Sequence, residues 1–415
     1  MNTTFDVAIV GAGAAGIAAA GRLAGSGLNT ILLEASSRIG GRAWTVELDG
    51  MALDLGCGWL HSADRNPWTR IAEQTGFEID RRNPPWGRSV PRPGFSIDEQ
   101  AAAGEAYDRW HDRMLTRPLP RDIAADHLVP GDRWNPYLQA LSGFINGTAL
   151  EHLSIQDYAN YEAVATEENW RPLRGYGTLI ASHLPPETVC MLVTPLERLI
   201  LSPKGGVMLA TPRGELHART VILTVSSNVL AGGTMQLPDE LEPWREAAGR
   251  LPLGYDEKLF LRIVDEATFP KELHAIGNPY DEATVAYHIR PLGRPMIECF
   301  LGGVSAKLLA DGGPVAAYEH IMKELTGLFG AKARCGLRFL TTSQWRHDAR
   351  VGGAYSHALP RYSSARRTLA APFENRIFFA GEATHESAFS TAHGAYASGI
   401  RAAEEAIAAI AVASR

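Results

Sequence analysis

Read for its hydrophobic and polar pattern, the chain opens on a short apolar, β-branched run, FDVAIVG from residue 5, that predicts a buried strand. A helix follows over residues 17–28, and NTILLEA makes a second strand. Beyond residue 62 the pattern changes: Trp, Pro and helix formers predict helices near 65–76, 98–115, 134–142 and 154–165, and the prolines of RRNPPWGRSVPRPG make 81–94 a loop. After a helix starting near Thr178, the segments VCMLVTP, ERLILSP, GVMLATP and HARTVILTV read as strands separated by Pro and Gly turns. KLFLRIV, TVAYHI and MIECFLGG are further strands, with a helix at 314–329. Ile377–Ala380 is a last strand and Thr391–Ala413 a last helix. Strand, turn and helix alternate at both ends of the chain, as in an α/β, Rossmann-like nucleotide-binding domain. The mixed middle suits a second domain of sheet plus helices. A length of 415 residues allows two or three cores.

Composition narrows the functional classes. With 45% hydrophobic and 21% charged residues and a net charge of -6, the chain reads as an ordinary soluble protein without the basic excess of a nucleic-acid binder. The mild acidity modestly favours a cationic ligand. The apolar start lacks a basic leader and is broken by glycines, so neither a signal peptide nor a membrane span is expected. The four scattered cysteines, Cys57, Cys190, Cys299 and Cys335, form no CxxC pair, which points to free thiols, no metal site, and a cytoplasmic location.

Candidate chemistry enters with GAGAAG. Gly11 permits the tight turn, Gly13 lets the backbone approach a pyrophosphate, and Gly16 lets helix and strand pack closely, with Ala14 and Ala15 between the last two glycines as further cofactor-binding candidates. The second strand ends on Glu34 and Ala35, where a carboxylate takes ribose hydroxyls. An acidic residue there argues against a 2′-phosphorylated nicotinamide cofactor but leaves NAD and FAD open. SSRIGGRAWT then sets Arg38 and Arg42 around Gly40 and Gly41, beside the expected pyrophosphate.

At this position SSRIGGRAWT resembles the second fingerprint of the flavin-containing amine oxidases. The segment FAGEATHESAFSTAHGAYASG is similar to that of spermine and N-acetylpolyamine oxidases within that superfamily. The resemblance implies FAD, with Gly381 and Glu382 near its ribityl and pyrophosphate portion. It also implies a final helix, beginning at Ser390, Thr391 and Ala392, aimed at the flavin ring. It matches Gly58, Trp59 and Leu60 of GCGWLH to a segment beside the isoalloxazine, His61 to a histidine near the substrate amine, and Val193 to a backbone contact with the adenine part. Lys258 matches a lysine that holds a water against flavin N5. Trp345 and Tyr355 match aromatics facing the flavin, and Ala354 stands where monoamine oxidases carry the flavin-linked cysteine, so noncovalent FAD is implied. Thr391 replaces an aromatic-cage tyrosine of the monoamine oxidases, which shifts the expected substrate towards polyamines.

The implied domain division is 1–62, 187–253 and 341–415 for FAD, and 63–186 and 254–340 for substrate. The implied reaction is hydride transfer from the amine α-carbon to flavin N5, hydrolysis of the imine to aldehyde and amine, and reduction of molecular oxygen to hydrogen peroxide, by a monomer or homodimer. Glu167, Glu168 and Asp348 are candidate anchors for a distal ammonium. Alternatives are an L-amino acid oxidase, with Arg171 or Arg174 clamping a carboxylate, a monoamine or putrescine oxidase, and a non-catalytic FAD-binding protein.

Overall fold

The computed structural model describes residues 4–116, 121–203 and 205–413. Its larger sheet has seven strands among these residues and is assembled from distant stretches of chain. Thr4–Val10 lies at its centre, parallel to Thr30–Leu33 on one side and to Gly214–Leu223 on the other. The first half of Gly214–Leu223 pairs antiparallel with Val207–Thr211, and its second half pairs parallel with Ile377–Phe379. Arg198–Leu201 and Cys190–Met191 complete the two edges. The central strand is apolar and buried on both faces, as parallel strands covered by helices require.

Ala14–Leu23 follows the first strand, and Ala392–Ala413 packs against it. Both contacts depend on the absence of a side chain. A Cβ on Gly16 would lie 1.8 Å from the Gly11 carbonyl oxygen, and one on Gly399 would lie 2.1 Å from that of Ala15.

The second sheet runs Leu273–Ile276, Ala286–Ile289, Met296–Gly302, Asp256–Ile263 and Leu337–Thr342, all antiparallel. Its two faces are chemically distinct because side chains alternate along each strand. Leu259, Leu261, Ile297, Cys299 and Leu301 pack on Leu309, Ile321 and Leu325 of the helix Val304–Phe329. Lys258, Glu298 and Phe300 take the opposite face. Helices Ile97–Thr116, Asn135–Asn146 and Ile155–Glu162 complete this part of the molecule.

Most of the expected elements lie within a few residues of their sequence-based positions and two differ, while others, among them Leu273–Ile276 and Leu337–Thr342 of the second sheet, were not anticipated. The first helix begins at Ala14, inside the glycine motif, and ends at Leu23. The helix expected at 314–329 begins ten residues earlier, at Val304, and is broken at Gly313, whose φ of 74° leaves the helical region just before Pro314. The sequence pattern captured the part after the break. No helix among the described residues is long and apolar enough to cross a membrane.

Candidate active site

The carboxyl ends of the parallel strands and the free face of the second sheet border one cavity of about 1660 Å³. Ligand pockets commonly span about 300–1,000 Å³, so this volume admits a large cofactor and a second molecule together. Gly11, Gly13, Ala14, Ala15, Glu34, Ala35, Arg38, Gly41 and Arg42 line one end. The helix Ala14–Leu23 carries no side-chain cap at its amino terminus, so its first N–H groups are available to an anion at that wall. Glu34 accepts hydrogen bonds from Ala12 N at 2.7 Å and Ser36 N at 2.7 Å. A carboxylate has about four acceptor positions, so roughly two remain for a diol. These residues fit the phosphates and ribose of a dinucleotide.

Glu382, on the cavity wall, is held by the protein's own donors. Its Oε1 accepts from Arg42 Nη1 at 2.8 Å and Ser356 N at 3.3 Å, and its Oε2 from Ser356 Oγ at 2.7 Å and Ser390 N at 2.8 Å. The carboxylate is thereby saturated and acts as a clamp on Arg42, which also donates to Ala354 O at 2.7 Å. Burial alone would raise the Glu382 pKa, but Arg42 and Arg366 outweigh it and hold the carboxyl below its usual range. Behind it, Arg366 and Asp157 form a fully buried bidentate pair at 2.7 and 2.8 Å. Arg366 also donates to Ser356 Oγ at 2.9 Å, joining the pair to the Glu382 clamp.

Gly58, Trp59, His61, Lys258, Trp345, Tyr355, Gly381, Glu382, Ser390, Thr391 and Ala392 line the same cavity. Trp345 Nε1 donates to Leu55 O at 3.0 Å, and the Tyr355 hydroxyl to Phe144 O at 2.7 Å, so both rings are fixed. Asn169 Nδ2 donates to Glu167 O, which turns Asn169 Oδ1 towards His61 Nδ1 at 2.6 Å. Nδ1 must therefore carry the proton, leaving Nε2 with its lone pair. Burial lowers the His61 pKa, favouring the neutral ring.

Three expected cofactor residues stand off the cavity wall. Gly16 serves helix packing, as its spacing implies. The Leu60 side chain is fully buried in an apolar cluster with Trp68 and Leu179, because strand alternation turns it away from the wall that Trp59 and His61 line. Val193 is 55% exposed, and the neighbouring Thr194 and Pro195 line the cavity in its place. Thr391 reaches the wall, but its hydroxyl donates to Ala388 O at 2.6 Å and accepts from Gly394 N at 3.0 Å, capping the final helix. That leaves the hydroxyl no proton for substrate.

Glu167 lines the cavity. Glu168 instead accepts from Asn83 and Trp170, and Asp348 pairs with Arg350. Arg171 is paired with Asp80 and Glu272, Arg174 lies 4.2 Å from the centre of the Phe77 ring, and neither lines the cavity, so neither offers a carboxylate clamp there. Sequence reasoning missed Glu298, 2.7 Å from Lys258. The available signal was one carboxylate in the apolar strand MIECFLG, matching the one cation early in DEKLFLRI.

A glycine-cradled dinucleotide site continuous with a lysine- and aromatic-lined chamber defines a flavoprotein oxidoreductase. The pattern of the family described as "Flavin containing amine oxidoreductase" matches residues 14–100 and 97–407, and the chain belongs to that family, with FAD as its cofactor. The chain is 26% identical over 451 residues to lysine-specific histone demethylase 1 homolog 2 of Arabidopsis thaliana, covering 97% of this chain but 58% of that relative. It is 25% identical over 437 residues to polyamine oxidase 4 of Oryza sativa subsp. japonica, covering 96% of this chain and 88% of the relative. A solved structure of wild-type putrescine oxidase bound to putrescine superposes with a TM-score of 0.76 at 19% identity, over 98% of this chain and 99% of that one, and shows the same fold.

Proposed function

We propose that the protein is an FAD-dependent amine oxidase acting on a polyamine or related amine. The products are an imine, hydrolysed to aldehyde and amine, and hydrogen peroxide formed from dioxygen. The observation that carries this reading is the continuity of one cavity from Gly11, Glu34 and Arg42 to Lys258, Trp345 and Tyr355. FAD, when bound, accepts the hydride from the carbon next to nitrogen.

The side chains bind, orient and deprotonate the amine. Tyr355 and Trp345 offer fixed aromatic walls to the methylene chain and its cation. His61, neutral and with Nε2 unprotonated, is the candidate base that relieves an incoming ammonium of its proton. Asp108, Glu162 and Glu167 on the cavity wall supply negative potential suited to a polycation. Ala354 beside Tyr355 supports noncovalent cofactor, and the unpaired cysteines support a reducing, cytoplasmic location. The proposed division remains 1–62, 187–253 and 341–415 for cofactor, with 63–186 and 254–340 for substrate, in a monomer or homodimer.

A second reading, an amine with an uncharged aromatic remote end, is favoured by Trp59, Trp86, His274 and His288. His274 and His288 stack at 3.9 Å on the cavity wall, and burial, with His288 and Arg171 beside it, pushes the His274 pKa down to about 2. The deciding experiment is anaerobic flavin bleaching with spermine, spermidine, their acetylated forms, putrescine, aromatic monoamines and L-amino acids. Fastest bleaching by a polyamine is expected. Fastest bleaching by an aromatic monoamine selects the second reading, and flavin that stays oxidised with every amine overturns both.

A further inference from the structure

We propose that Glu298 is a positioning residue for Lys258, a role that rests on the amine-oxidase reading above. The strand register brings the two together. Lys258 lies opposite Phe300, and Phe260 opposite Glu298, on antiparallel neighbours, so period-two alternation sends all four side chains to one face. On that face the next strands add His288, opposite Glu298, and His274, opposite His288. Lys258, Glu298, Phe300, His288 and His274 all line the cavity.

Donor counting assigns the role. An ammonium has three N–H donors and no acceptor. Lys258 Nζ lies 2.7 Å from Glu298 Oε1 and donates to the Asp54 backbone carbonyl at 3.0 Å. One acceptor comes from the second sheet and the other from the strand Met51–Asp54, so the ammonium is fixed from two sides. The third N–H is left for the cavity that Lys258 lines. Without Glu298, a flexible four-carbon stem would hold that donor by one carbonyl alone.

Burial works to raise the Glu298 pKa, but Lys258 beside it outweighs burial and holds the carboxyl below its usual range. A carboxylate facing an amine-binding cavity would otherwise serve to anchor substrate. Here its charge is already offset by Lys258 at hydrogen-bond distance, which weakens its pull on a substrate ammonium.

The test compares Glu298→Gln, Lys258→Met and the double variant, all as FAD-loaded protein. Glu298→Gln should slow anaerobic flavin reduction at saturating amine by about 10- to 100-fold, the range for a hydrogen bond to a charged group, with half-saturating amine unchanged. In the Lys258→Met background the same change should add less than about twofold, because residues acting as one unit are not additive. A rise in half-saturating amine that persists without Lys258 overturns the proposal and makes Glu298 a substrate anchor.

The reduction potential of bound FAD, measured without amine, separates this claim from the enzymatic reading. Glu298→Gln should shift it in the wild-type background and not in Lys258→Met. A shift of equal size in both backgrounds, or none in either, overturns positioning even if no amine is ever oxidised. Should Glu298→Gln fail to retain FAD, Glu298→Asp takes its place, with partial retention of the reduction rate expected and a change in half-saturating amine alone counting against the proposal.

Discussion

Asp157→Asn removes the charge that neutralises Arg366 while keeping the side chain's size. Both partners are fully buried, and their two hydrogen bonds are 2.7 and 2.8 Å long. The change leaves a guanidinium without its counter-charge in a site that excludes water, so the expected loss is about 3–5 kcal/mol. An unfolding entropy of about 2.1 cal/mol/K per residue, over 415 residues, gives about 0.87 kcal/mol/K and a fall in Tm of about 3–6 °C for cooperative unfolding. The consequence extends to the cofactor, because Arg366 holds Ser356 Oγ and that hydroxyl donates to Glu382. FAD affinity should therefore fall along with Tm. The assays are differential scanning calorimetry of FAD-free protein and fluorescence titration with FAD. Asp157→Asn combined with Arg366→Met should be less destabilised than the sum of the two single changes, since the second removes the charge that the first strands. A loss below about 1 kcal/mol in Asp157→Asn, or strict additivity, would refute the reasoning.

Gly16→Ala should give protein without bound flavin, seen as absent visible absorbance after purification, because its Cβ would sit 1.8 Å from the Gly11 carbonyl. His357 is buried, and desolvation together with Arg366 and His152 lowers its pKa to about 3. The unfolded chain therefore binds the extra proton below about pH 6.5, and the stability His357 confers is present above that pH and lost as pH falls towards 3. Urea titrations of His357→Asn against the parent should show their difference shrinking by about 1.4 kcal/mol per pH unit between about pH 6 and 4. A pH-independent difference would exclude this account. Acid precipitation should release FAD into the supernatant, and flavin retained on the denatured chain would contradict noncovalent attachment.

Features carried by contiguous residues were legible in the sequence. Gly11, Gly13 and Gly16 announce a strand, turn and helix because each glycine meets a local steric demand, and the apolar run before Glu382 announces a strand ending at a ligand edge. The roles of Glu34 and Glu382 were less legible. Both are acids after apolar strands, yet one keeps acceptor capacity and the other is saturated by Arg42, Ser356 and Ser390. Their difference depends on donors brought in from other parts of the chain. The same holds for Glu298, whose partner is set by strand register, and for Arg366 with Asp157, 209 residues apart. The side chains of Val193 and Leu60 face away from the cavity for a different reason. A motif fixes where the backbone runs, but turn geometry and side-chain alternation decide which neighbour faces inward.

The strand Gly214–Leu223 is paired along one flank with Thr4–Val10 and along its second half with Ile377–Phe379. During synthesis, then, the nucleotide fingerprint emerges first and waits for its last structural partner. At about 5–20 residues per second, the interval between Gly16 and Glu382 lasts about 20–70 s. Through that time the Glu382 clamp on Arg42 does not exist, so firm flavin capture waits until residue 382 has been made. A ribosome stalled shortly before residue 377 would present a colourless chain that already carries the whole nucleotide fingerprint.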